Sequence, residues 1–274
     1  MKLILIYLLR SSMVLESTHL YTSICMLSIC PIRKKPEESS EMISQIVFGE
    51  QVNVLSEEES WLYVQCRKDG YKGWIDSKLV SKIEKPYQES SDVHYSLEPS
   101  YVVIGESDSI LITLGAFLPH YDGMTFYLNG MKYNFSGTAA RPGDLHLTEA
   151  LVEKLSKKYL NAPYLWGGKT PFGVDCSGFV QTIYRILGVN LPRDAKDQAN
   201  KGLTVDFVNE SMSGDLAFFT KKTNRISHVG IILDNNKIIH ASGKVRIDTL
   251  DHQGIYNAEN QSYTHHLKII KRVL

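Results

Sequence analysis

Apolar and polar residues alternate over short stretches in the first third of the chain, and each stretch ends in a turn signal. Gln45-Ile46-Val47-Phe48 runs into Gly49-Glu50, and Val52-Asn53-Val54-Leu55 follows. A charged turn at Glu57, Glu58 and Glu59 leads to Trp61-Leu62-Tyr63-Val64. Asp69-Gly70, a pair that tolerates positive φ, opens onto Tyr71-Lys72-Gly73-Trp74-Ile75. This spacing predicts a small barrel of about five or six strands over residues 25–84. Lys82 to Ser91 is charged and carries Pro86, which reads as a linker. Ile110-Leu111-Ile112-Thr113-Leu114 and Thr125-Phe126-Tyr127-Leu128 are further strands, and Asn129-Gly130 is a hairpin turn before Met131-Lys132-Tyr133. A second small barrel over residues 85–142 is the natural reading.

After Arg141-Pro142-Gly143-Asp144 the period lengthens. Thr148 is placed to cap a helix in which Leu151, Val152, Leu155 and Tyr159 share one face. Phe179, Val180, Ile183, Tyr184 and Leu187 make a second helical stripe, which Gly188 is suited to end. His228 to Leu233 then alternates like a strand, Asp234-Asn235-Asn236 is a turn, and Lys237 to Ala241 returns. Helix, loop, helix and then strands is the order of an α+β layered domain over residues 143–274.

Cys176 lies where a Gly-rich loop (Gly167, Gly168, Gly173) meets the second helix. Free N–H groups and the positive end of the helix dipole favour a thiolate there. A neighbouring imidazole would lower the thiol pKa further and give an ion pair ready to attack a carbonyl. His228 and His240 are the candidate imidazoles, and strand parity tests them. A two-residue loop would put them on opposite faces; an odd loop puts them on one. A three-residue loop, Asp234 to Asn236, places His240 opposite Gly230 and diagonal to His228, about 7–8 Å away by backbone. Gly230 leaves the space between them.

Composition narrows the class. Thirty basic and thirty acidic residues cancel, so there is no electrostatic footprint for nucleic acid. The 43% apolar content supports real cores in a chain of 274 residues. Cys25, Cys30, Cys66 and Cys176 form no C-x-x-C pair, and no histidine cluster joins them at zinc-ligand spacing. They read as buried thiols, with a Cys25–Cys30 bridge as the alternative. Residues 1–24 hold a short apolar stretch from Leu3 to Leu9 that makes a poor export signal, and the bulky Ile29 argues against a lipoprotein site at Cys30. No apolar run approaches the roughly 18 residues of a membrane helix. The expectation is a cytoplasmic monomer without membrane insertion, with export to the periplasm or cell envelope as the alternative.

Six motifs in order carry a resemblance: Pro163-Tyr164-Leu165-Trp166-Gly167-Gly168, Asp175-Cys176-Ser177-Gly178-Phe179, Leu191-Pro192-Arg193, Gly214-Asp215-Leu216-Ala217-Phe218-Phe219, His228-Val229-Gly230-Ile231 and Ile239-His240-Ala241-Ser242. From about residue 147 onward the chain resembles the NlpC/p60 family of papain-like cell-wall cysteine peptidases. Gly70-Tyr71-Lys72-Gly73-Trp74-Ile75 resembles the closing strands of bacterial SH3-like modules. The resemblance implies an α+β papain-like domain behind two SH3-like barrels. It implies Cys176 as nucleophile, His228 as general base and then acid, and His240 as the group that orients His228. The Cys176 N–H and the Tyr164 hydroxyl would hold the oxyanion. Asp175 and Ser177 would touch the D-Glu portion of substrate, or else cap the helix.

Two leading SH3-like modules resemble the γ-D-glutamyl-L-diamino-acid endopeptidases, which trim murein peptides carrying a free N-terminal L-Ala. That likeness implies that Asp194, Glu41 and Tyr71 bind the substrate ammonium, with no metal and no organic cofactor. The plainer alternatives are a surface pair of Asp194 with Arg193 or Lys196, and a solvated Glu41. Arg193 either holds a loop or meets a substrate carboxylate. His252, His265 and His266 show no ligand geometry, and Arg33-Lys34-Lys35 reads as solvated surface. Two rivals share the modules: a lytic hydrolase of intact wall, and a non-catalytic wall-binding adaptor. The intact Cys-His-His set argues against the adaptor.

Overall fold

A computed structural model describes residues 19–88, 93–145, 148–221 and 224–274. The N-terminal stretch from Leu3 to Leu9 lies outside the described residues. Alternation makes the first barrel: in Trp61–Cys66, Leu62, Val64 and Cys66 point inward while their neighbours stay half-exposed. The sheet has seven strands, in the order Met42–Val47, Ile29–Arg33, Lys72–Asp76, Trp61–Cys66, Gln51–Glu58, Tyr21–Ile24 and Ser81–Ile83. It therefore begins at Tyr21, ahead of the expected boundary at residue 25. Tyr-Thr-Ser-Ile carries no apolar alternation, and its strand character comes from pairing with Gln51–Val54 across the barrel. Cys25 and Cys30 are free thiols in the barrel core, Sγ to Sγ 3.1 Å.

The second β-module sets a four-stranded sheet (Ser109–Thr113, Ser100–Gly105, Met131–Asn134, Thr125–Leu128) beside a three-stranded one (Phe117–Pro119, Val93–Ser96, Ala139–Ala140). Asn129 and Gly130 both take positive φ, +49° and +78°, as the hairpin turn requires. The module does not have a core of its own. Phe48 of the first barrel enters it, edge-on to Phe126 and Tyr133 at 6.0 and 5.7 Å. The expected linker is pinned as well: Gln51 donates to the Tyr87 carbonyl, and the Tyr87 hydroxyl donates to that of Gly49.

In the α+β domain, Thr148 caps helix α1 (Glu149–Lys157) by accepting from the Leu151 N–H. Helix α2 (Cys176–Ile186) is buried along its whole length, and Gly188 follows at φ +88°. Helix α3 (Ala195–Gln198) is a single turn. They lie against an antiparallel seven-stranded sheet with the order Leu203–Val205, Ser262–Arg272, Leu216–Thr220, Ile226–Leu233, Lys237–Ser242, Lys244–Leu250, Gly254–Asn257. Among the described residues no helix is long and apolar enough to cross a membrane.

The three parts meet around one buried ion cluster. Glu50 of the first barrel lies 3.2 Å from Arg185 of α2 and 3.4 Å from Lys169, and all three side chains are nearly inaccessible. The Arg185 guanidinium lies over Phe117 of the second module, 5.0 Å from the ring centre. Burial alone would push the Glu50 carboxyl up; the charges of Lys169 and Arg185 outweigh it and hold the group below its ordinary value. Replacing Glu50 by Gln strands two cations in a low-dielectric junction. The expected cost is about 3–5 kcal/mol of stability, read as a lowered urea midpoint. A loss under about 1 kcal/mol would show that the junction is not dry.

Candidate active site

Cys176 is the first residue of α2, and its side chain is only slightly exposed. Asp175 precedes it as the N-cap, and Asp175 Oδ1 accepts from the Gly178 N–H at 2.7 Å. The other oxygen takes the Gly167 N–H at 2.9 Å. Arg193 grips both oxygens, Nη1 to Oδ1 at 3.0 Å and Nη2 to Oδ2 at 2.6 Å. The Ser177 hydroxyl donates to Asp175 and accepts from Arg193. The lone pairs of Asp175 are thus committed within the protein, and Ser177 is tied into the same knot. Of the two readings of these residues, the capping one describes the bonds they make. Arg193 holds the loop, and its Nε reaches Ser44 of the first barrel at 2.9 Å.

His228 and His240 converge through the register that an odd loop demands. Leu233 pairs with Lys237 and Gly230 with His240, leaving a three-residue turn in which Asn235 and Asn236 both take φ +57°. His228 Nε2 lies 2.9 Å from His240 Nδ1. A Cβ on Gly230 would stand 2.9 Å from the His240 Cβ, so glycine makes the room. The backbone N–H of Val229, the residue after His228, acts to lower the Cys176 thiol pKa. Helix α2, which Cys176 opens, packs against the strand Ile226–Leu233, which carries His228. With Nε2 engaged by His240, Nδ1 is the other ring nitrogen of His228.

The electrostatics differ from the expected thiolate. Burial, helped by the Asp175 carboxylate, pushes the Cys176 thiol up to about 12 against the pull of the Val229 and Ser177 N–H groups. Burial, then His240, His265 and Lys221, hold His228 well below the ordinary histidine value. Desolvation works against the helix dipole here, and burial favours the neutral form of both groups.

Cys176, Tyr164 and Asp194 line one cleft of about 560 Å³ with Glu41 and Tyr71 of the first barrel. Asp175 and Ser177 line it as well, while His228 and His240 are buried and do not line it. A Cβ on Gly167 would sit 2.5 Å from the Met42 carbonyl oxygen, so glycine lets the barrel backbone approach this closely. The Tyr71 hydroxyl donates to Asp194 Oδ1 at 3.3 Å, and burial and Asp194 push the phenol up to about 12. Asp194 stands at the N-cap of α3 but makes no capping bond, which leaves its carboxylate for the cleft. Lys196 is 4.0 Å away. Glu41 accepts from Lys34 Nζ at 3.0 Å and from Trp166 Nε1 at 2.9 Å, and these donors hold its carboxyl below the ordinary value. Burial, then the neighbouring Cys176 and Asp175, raises the Tyr164 phenol, which keeps its O–H as a donor.

Four residues escaped sequence reasoning. Lys34, read as solvated surface, lines the cleft on Glu41. His265 stacks on His228 with ring centres 4.1 Å apart. Asp248 sits 3.0 Å from His240 Nε2, and Arg246 binds that carboxylate. Arg246 and Asp248 are two apart on one strand, a period-2 signal, but only the register against His240 tells what that face meets.

A model of the NlpC/P60 family matches residues 161–267, and one of the bacterial dipeptidyl-peptidase Sh3 domain matches residues 32–79. The chain is 31% identical over 234 residues to the gamma-D-glutamyl-L-lysine dipeptidyl-peptidase of Bacillus subtilis, covering 79% of this chain and 78% of that one. It belongs to the NlpC/P60 family. A protein of the same name from Bacillus cereus is 30% identical over 239 residues, 74% of this chain and 68% of the relative. The crystal structure of an NlpC/P60 family protein from Bacillus cereus superposes with a TM-score of 0.79 at 20% identity, covering 92% of this chain and 99% of that one, so the fold extends through the β-modules. The protein is a cell-wall peptidase with a papain-like domain.

Burial pushes the His265 imidazole down to about 3, with His240 and Lys221 adding to the effect. A histidine held neutral contributes its full stability above the unfolded value near 6.5 and loses it as pH falls toward the folded value. Between pH 7 and 5 this group is expected to cost the fold about 2 kcal/mol. Urea midpoints at the two pH values measure it, and His265→Phe should flatten the slope. An unchanged slope would place the acid sensitivity elsewhere.

Proposed function

We propose that the protein hydrolyses the bond between γ-D-Glu and an L-diamino acid in murein peptides that carry a free N-terminal L-Ala, in peptide turnover or recycling. The observation that carries this reading is the pair of carboxylates, Asp194 and Glu41, that the cleft shares with Cys176. Asp194, Tyr71 and Glu41 line the same cleft as Cys176, and two of the three come from the first barrel. A substrate ammonium held by a partly desolvated carboxylate makes a strong charge-assisted bond. Because the barrel flanks the cleft there, the cleft admits a short free end in preference to a continuing glycan-linked stem. The two Bacillus relatives named as gamma-D-glutamyl-L-lysine dipeptidyl-peptidases support the same substrate class.

In this reading His228 takes the proton from Cys176 as sulfur attacks the γ-carbonyl carbon. The Cys176 N–H, at the open first turn of α2, and the Tyr164 hydroxyl receive the oxyanion. Collapse breaks the C–N bond, and His228 returns its proton to the leaving amine. Water, activated by His228, then hydrolyses the thioester and releases the acid. His240 orients His228 throughout. A thiol that ionises only as substrate arrives suits two groups whose neutral forms burial favours. A monomer acting on released peptides in the cytoplasm fits this role.

Mass spectrometry of products from L-Ala-γ-D-Glu-diamino-acid peptides tests the chemistry. Cys176→Ala should abolish cleavage with the fold unchanged, and hydrolysis retained in that variant would refute the mechanism. Asp194→Asn should lower kcat/KM on free-amine peptide by about 10- to 100-fold, the effect of removing one charge-assisted contact of about 1.5–3 kcal/mol. N-acetylated peptide should be little affected. Equal losses on both peptides would remove Asp194 from ammonium recognition.

A further inference from the structure

Asp248 stands behind the two imidazoles, on the strand Lys244–Leu250. Its Oδ2 lies 3.0 Å from His240 Nε2, and both side chains are buried. Arg246 clamps the same carboxylate with two bonds, Nε to Oδ2 at 2.7 Å and Nη2 to Oδ1 at 2.9 Å. Glu259 takes the third side of the guanidinium at 2.9 Å from Nη1. This fork leaves the carboxylate one orientation, with Oδ2 toward His240.

We propose that Asp248, oriented by Arg246, is a positioning residue that sets the proton on each imidazole and thereby makes His228 Nδ1 the atom free to act as base toward Cys176. The proposal rests on the reading of His228 as the general base. An ionised carboxylate accepts hydrogen bonds and donates none. His240 Nε2 must therefore carry a proton. With Arg246 sharing the Asp248 charge, His240 in this proposal carries a single proton, on Nε2, which leaves its Nδ1 bare. That lone pair lies 2.9 Å from His228 Nε2, which must supply the proton of the bond. A neutral His228 protonated at Nε2 has a bare Nδ1, ready to take the thiol proton. With a donor in place of the carboxylate every proton would move by one position. His240 would present Nδ1–H to His228, His228 would hold its proton on Nδ1, and the base would be blocked. The Gly230 gap and the stack of His265 on His228 keep both rings at the distance that this relay needs.

Side-chain 15N chemical shifts of the wild-type protein report each tautomer without any turnover. The expected result is a neutral His240 and a neutral His228, each protonated at Nε2. A His240 protonated at Nδ1, or at both nitrogens, overturns the proposal. Asp248→Asn carries the second readout, with kcat and His228 tautomer measured on the same samples. Loss of the Nε2–H form of His228 should come with a fall in kcat of about 100-fold or more and a KM within about twofold. A variant that loses that tautomer yet keeps wild-type kcat also overturns the proposal. If the wild-type protein cleaves no murein peptide, the proposed function fails while the tautomer measurement still judges Asp248.

Discussion

Arg193 reaching Asp175 with 2.6 Å between Nη2 and Oδ2 is the contact on which the site depends. Asp175 caps the helix that carries Cys176, and it also holds the Gly167 N–H of the Gly-rich loop. Arg193 passes the same bond network to Ser44 of the first barrel. One carboxylate thus sets the start of α2, the wall of the cleft and the position of the module that flanks it. Both charges are buried, so the pair survives only because every donor and acceptor in it is used.

The same economy of space governs the catalytic pair. A thiol at a helix N-terminus in water would ionise readily. Packed under the barrel, Cys176 loses more from desolvation than the dipole and two N–H groups return. His228 is desolvated too, and its neighbours His240 and His265 oppose a positive charge.

The β-modules are parts of the enzyme as much as attachments to it. Phe48 completes the core of the second module, and Glu50 supplies the counter-charge for Arg185 on α2. A shared core and a shared ion cluster make hinge motion between the parts costly. The barrel side of the cleft, which carries Glu41 and Tyr71, is thereby held to the domain that carries Cys176.

Much of this was legible in the order of residues. The 3.6-residue stripe after Cys176, the cap at Thr148 and the odd turn that brings His228 and His240 to one face are local patterns, and local geometry decides them. What lay beyond reach depends on pairing between distant segments. Tyr21–Ile24 is a strand because Gln51–Val54 accepts it, and Asp248 serves His240 because the next strand pairs in one register. Lys34 and His265 look like surface charge and spare imidazole until the fold sets one on Glu41 and the other on His228. The protonation of Cys176 was also a tertiary outcome. The helix dipole is written in the chain, but the desolvation that overrules it exists only once the barrel, the sheet and the helix have closed around the sulfur.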